Sequence, residues 1–201
     1  LGETGEAALR AYPVYALART ESETRFVGAR EGLVDRGGLR HVTSLSGPRD
    51  RWVTTPNNDT LYSSAFLDLS RGPAEIDIPA LPGRYHSVAV MDARTDNRLI
   101  AGTRDGEPGP RTIRLVHGGA GADPATFRSP SDPATFRSPT DRVWLLVRVL
   151  VDGPADLAAA QAAQRAFVLR APAAEQAPAP VPLPVTPDPA TLLRVANPII
   201  A

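Results

Sequence analysis

The chain of 201 residues contains no cysteine, and that absence removes disulfides, thiolate metal ligands and thiol nucleophiles together. It suits an oxidising compartment without requiring one. Lysine is missing as well. All 22 basic residues are Arg, a bias that GC-rich coding accounts for and that also offers guanidinium forks for carboxylate or other anions. Neither sign of charge is in excess, because 22 acidic residues balance the basic ones, so no global field draws the chain to nucleic acid or to an anionic membrane surface. Five Phe, four Tyr and two Trp are too few, and too little interleaved with basic residues, for a single-strand nucleic-acid platform. No apolar run is long enough to span a bilayer, and the one Met is Met91, so any export signal or membrane anchor is expected upstream of Leu1.

What is present is enough for a core. With 42% hydrophobic residues, the chain suits one domain, or one domain with an irregular tail. The apolar spacing of Ala8, Leu9, Tyr12, Tyr15 and Ala16 predicts a helix from Glu3 to Thr20, with Pro13 kinking or dividing it. Phe26 to Arg51 reads as a loop or short elements crossing the surface. From Thr60 to Leu69 side chains alternate, placing Leu61, Ser63, Ala65, Leu67 and Leu69 on one face of a strand. Ala74 to Ile78 and Arg84 to Met91 read as two further strands, and three strands joined by tight turns predict an antiparallel meander. Leu99 to Gly102, Thr112 to His117 and the strongly apolar Asp141 to Val151 read as strands too, the last as the best core element. Ala155 to Leu169 reads as a helix with Asp152 as its cap. The expected fold is therefore mainly β, an antiparallel sandwich or barrel-like core with a few peripheral helices. A β-rich domain with helices at both ends spans 1–170, followed by a Pro-rich strap and apolar tail over 171–201.

Two segments stand apart. Asp123 to Pro130 recurs word for word at Asp132 to Pro139, which reads as a tandem duplication within a loop, since solenoids need at least three stacked repeats. The apolar end, Leu192 to Ile200, needs a surface to bury against, either its own domain or a partner.

Chemistry-bearing residues concentrate at Pro56-Asn57-Asn58-Asp59-Thr60-Leu61-Tyr62. Asn and Asp before a strand serve a turn by bonding their own backbone. The functional alternative makes Asn57, Asn58, Asp59 and Tyr62 one end of a sheet that binds a small polar ligand, with Arg84 as a cation across from Asp59 and Asp92 as a further carboxylate. His41, His86 and His117 are too far apart to suggest a metal site. His86 shares a face with Val88 and Val90, as a hydrogen-bonded sheet histidine would. A triad of Ser63 or Ser64 with His86 and Asp92 can be assembled on paper, but no nucleophile elbow supports it. No glycine-rich phosphate loop opens a helix, so no cofactor is expected.

The words Thr55-Pro56-Asn57-Asn58-Asp59-Thr60-Leu61-Tyr62-Ser63, Phe66-Leu67-Asp68-Leu69-Ser70, Gly83-Arg84-Tyr85, Met91-Asp92 and Val143-Trp144-Leu145-Leu146 resemble the bacterial domain of unknown function family 1254. The resemblance covers the chain from about the N-terminal helix to Leu169. It implies an all-β sandwich with peripheral helices, exported to the periplasm or held at an N-terminal membrane anchor. It also implies a companion domain of unknown function, numbered 1214, on the same chain or encoded nearby. Ala93-Arg94, where the family often carries an aromatic residue, and the duplicated loop depart from the pattern. The family name confers no reaction. The leading expectation is a non-catalytic binding or interaction module. A hydrolase or lyase using Asp59 or Asp92 as base, and a structural partner of the companion domain, are the alternatives. Self-association stays open.

Overall fold

The computed structural model describes residues 3–31, 38–48, 57–105, 110–119, 128–129, 132–172 and 182–200. The expected features at Trp52 to Pro56, the first copy of the repeat before Arg128, and most of the Pro-rich strap lie outside these residues.

Among these residues, two five-stranded sheets face each other. The first runs β1 (Arg40–Val42), β2 (Thr60–Asp68), β9 (Arg142–Leu150), β4 (His86–Asp92), β5 (Asn97–Gly102); the second runs β10 (Val168–Arg170), β3 (Ala74–Ile78), β6 (Arg111–His117), β8 (Asp132–Ser138), β7 (Arg128–Ser129). Alternation builds the interior. Leu61, Ala65 and Leu67 of β2 stand opposite Val149, Leu145 and Val143 of β9. These join Val88, Val90, Ile76, Ile78, Leu115 and Phe136 in one buried cluster. At about 1.5–3 kcal/mol for each large apolar side chain removed from water, this cluster dominates stability.

The three-strand meander is not what forms. β2 and β4 both flank β9 in the first sheet, whereas β3 lies in the second, paired with β6 and β10. Tight turns signal a reversal of the chain but not whether it stays in one sheet. Here a 3₁₀ turn, Leu69–Arg71, ends at Gly72 with φ of 137° and carries the chain across. The register matters for the site. Thr60 pairs with Leu150 and His86 with Val149, so the starts of β2 and β4 meet at the same end of the first sheet.

β8 pairs parallel with β6, and the second copy of the repeat forms it. The repeat is thus part of a sheet rather than confined to a loop, because Phe136 supplies a side chain that is 2% exposed to the core. After β9, α2 (Leu157–Arg165) crosses from one sheet to the other. The helix ends earlier than its alanine content suggested, because Val168 to Arg170 pair with β3 as β10. Asp152 does not cap it; the residue before Leu157 is Asp156.

The N-terminal helix α1 runs Glu3–Glu31, through Pro13 and well past Thr20. Its second half is stabilised by charge pairs one turn apart, Arg19 with Glu23 and Arg25 with Glu21, a spacing that favours helix. The final helix, α3 (Pro189–Ile200), packs Leu192 and Ala196 on Ala11, Val14 and Tyr15 of α1, forming a cluster separate from the sandwich core. Tyr15 Oη donates to Pro184 O at 2.7 Å and locks the approach to α3.

Candidate functional site

At the Asn-Asn-Asp corner, Asn57 Oδ1 accepts from the backbone N–H groups of Asp59 (2.8 Å) and Thr60 (3.2 Å). This is a turn held by its own side chain. Asn58 and Asp59 are exposed, and Asp59 O accepts from Val151 N at 2.8 Å. Arg84 comes to the same end of the sheet, but its guanidinium is engaged elsewhere. It donates to Asp156 Oδ2 (2.5 Å) and Oδ1 (2.6 Å), and to Leu150 O at 2.7 Å. The Arg84 guanidinium, helped by a backbone hydrogen bond from Asp152, lowers the Asp156 carboxyl to about 2. A bidentate pair of this kind fixes the β9–α2 connection.

Tyr62 lies on the outer face of β2, with the Arg148 guanidinium carbon 5.4 Å from its ring centroid. Asp92 is at the opposite end of the sheet, paired in register with Val143 rather than near Leu150. It is fully buried, accepting from Arg98 Nε at 2.6 Å and from the backbone of Arg94 and Asp96. The structure therefore brings Asn57, Asn58, Asp59 and Arg84 to one end of the first sheet and sets Asp92 at the other.

The paper triad does not assemble. Ser63 Oγ lies 2.7 Å from His41 Nδ1; His86 Nδ1 is 3.2 Å from both Thr103 Oγ1 and Arg84 O. Ser63 is fully buried, which closes it to a substrate. Among the described residues no group of three or more His, Asp or Glu is placed to hold a metal ion.

A cleft of about 300 Å³ opens elsewhere, between α1 and the edge of β2. One wall is a single face of α1: Val14, Leu17, Ala18, Glu21, Thr24 and Arg25, spaced three and four residues apart. The other wall is six consecutive residues, Ser64 to Leu69. Consecutive residues point to opposite sides of a strand, so a wall that includes them all is a strand edge. The reason is register. β1 reaches only as far as Arg40 opposite Ser64, so among the described residues Ala65 to Asp68 have no strand partner on that side. The cleft floor is apolar, with Leu67, Leu69 and Val143 buried. Its charged lining consists of Arg25, Arg40, Arg71 and Arg142 against Glu21 and Asp68. Glu21 takes Arg25 at 3.2 Å and faces Arg142 at 3.9 Å. Asp68 is occupied by Ser70, whose N–H and hydroxyl donate to it at 3.1 and 2.6 Å.

Residue-by-residue reading missed this cleft because it ended the helix at Thr20. The signal was available in the periodic face that continues from Val14 to Arg25.

Two facing sheets with a cleft between the β2 edge and a helical flank define a β-sandwich with a lateral pocket. The family described as a protein of unknown function, DUF1254, matches residues 37–171, more than half of the chain, and the chain belongs to it. No curated protein sequence matches. Among solved structures, the VPA0106 protein from Vibrio parahaemolyticus is similar with a TM-score of 0.60 at 18% identity, over 98% of this chain and 46% of that one. An uncharacterised protein from Burkholderia cenocepacia gives a TM-score of 0.41 at 16% identity, over 89% of this chain and 46% of that one. The chain thus spans less than half the length of these structures, and the first likeness shows the fold.

Proposed function

We propose that the chain is a binding module, non-catalytic and extracytoplasmic, whose ligand site is the cleft between α1 and the edge of β2. The observation that carries this is the cleft itself, a pocket at the small end of ligand-sized volumes, with apolar walls and Arg side chains at its rim. Support against catalysis comes from the site residues. Asp92 is held by Arg98, Arg84 by Asp156, and His41 lies against Ser63, while Asp59 stands exposed at the polar corner, away from the cleft lining. The cysteine-free composition is compatible with that location.

The polar corner at Asn57 to Asp59 serves as the scaffold that fixes the start of β2. Its role as a second, weaker contact point for a polar ligand rests on the exposure of Asn58 and Asp59. The apolar tail is packed on α1, so a companion domain would dock elsewhere. The exposed Leu9 and Tyr12 of α1, at 63% and 49%, favour that helix as the place.

The test is a thermal-shift screen of small molecules on the whole chain and on Ala18→Trp, which fills the cleft from α1. Saturation at about a hundredfold over Kd should raise Tm by roughly 5–10 °C in the native chain and leave the variant unmoved. A ligand that stabilises both proteins equally places the site elsewhere.

A further inference from the structure

We propose that the cleft takes a small amphipathic carboxylate, its acid group held by Arg71 and Arg142 and its apolar body laid along Leu17, Leu67 and Ile199. This deepens the binding reading and rests on the cleft being the site. Three observations converge on it.

The first is charge. In the described lining of the cleft, Arg25 and Arg142 share the one carboxylate of Glu21, Asp68 is held by Ser70, and Arg71 pairs with no carboxylate among the described residues. An anion would complete the balance. The second is placement. Arg142 pairs across the sheet with Asp68, and Arg71 follows three residues later in a turn that Leu69 N anchors to Asp141 O at 2.7 Å. Both Arg residues therefore sit at one corner of the cleft. Arg71 is exposed and the Arg142 side chain is 48% exposed, which sets this corner at the solvent-facing rim. The guanidinium fork matches a carboxylate in plane and spacing. The third is the gradient of polarity. Inward from that corner the lining turns apolar, through Val14, Leu67, Leu69 and Val143, each less than a tenth exposed. An inorganic anion would leave this floor unused, and a neutral apolar molecule would leave the rim uncompensated. A carboxylate with an aliphatic or aromatic body satisfies both.

The experiment is calorimetric titration of the whole chain with acetate, hexanoate, octanoate and decanoate, with inorganic phosphate, octanol and octylamine as further probes. Affinity should rise about fourfold per added methylene until the cleft is full. Octanol should bind about tenfold more weakly than octanoate, and octylamine and phosphate more weakly still. The double variant Arg71→Gln, Arg142→Gln, at two exposed positions, should lose octanoate affinity about tenfold or more while keeping its Tm and its affinity for octanol. Equal binding of octanol and octanoate, both abolished by Ala18→Trp, would overturn the acid class and leave the cleft as the binding site. Octanoate binding that survives Ala18→Trp would overturn both. A series in which no carboxylate binds, while another molecule stabilises the native chain but not Ala18→Trp, would again remove only the acid class.

Discussion

The functional reading turns on which charged residues are committed to the fold. Arg84 and Asp156 illustrate the committed kind. Because the carboxyl of Asp156 sits at about 2 rather than its ordinary 3.8, the pair's contribution is fully present above the ordinary value and is lost as pH falls toward the lowered one. Arg84→Met should therefore lower the urea midpoint at neutral pH, and the gap from the native chain should narrow between pH 3.8 and about 2. A gap that stays constant across that window would mean the pair contributes nothing charge-dependent. The Pro-Asn-Asn-Asp word identified a turn correctly at Asn57, because an Asx side chain bonding its own backbone is a local property. The partner of Arg84 was not legible, since Asp156 lies 72 residues away and only the β9–α2 connection brings it near. Asp92 shows the same limit: its neighbours in the chain suggested a site, while the register puts it at the far end of the sheet.

Among the elements, β9 is central to the first sheet, hydrogen-bonded to β2 on one side and β4 on the other. Its inward side chains carry the core, so Leu145→Ala should destabilise by about 2–5 kcal/mol. Ile100→Ala, on the outer face of β5 at 61% exposure, should change stability by less than about 0.5 kcal/mol. Equal losses in denaturant titrations would contradict the assigned faces. Strand existence was readable because a period of two survives in single strands: Leu61, Ala65 and Leu67, or Ile76 and Ile78, point inward as their alternation predicts. Strand partnership was not. Nothing within the turn at Ser70 to Pro73 distinguishes a hairpin from a passage to the opposite sheet. The helix α1 was cut short because Gly28 and the arginines around it resemble a loop in composition, while the Glu–Arg pairs that sustain the helix appear only when residues four apart are compared.

At the scale of the whole molecule, the described residues form two hydrophobic clusters, the sandwich core and the α1–α3 contact, and the cleft lies where α1 approaches the sandwich. Their separation predicts separable behaviour. Leu192→Asp, which places a charge in the smaller cluster, should expose α1 and α3 to limited proteolysis while leaving a resistant sandwich fragment; a variant that loses both together would show one cooperative core. The mainly β architecture was visible in the sequence, because it depends on patterns repeated along the chain. The cleft was not, because it exists only where β1 stops short of the end of β2 and a helix more than 30 residues earlier lies against the exposed edge. The most direct measurement is an amide chemical-shift map of the chain titrated with octanoate. The largest changes should fall on Leu17 to Arg25, Ala65 to Arg71 and Arg142. Changes centred on Asn57 to Thr60 with Arg84 and Tyr85 would instead place the ligand at the polar corner and contradict the account.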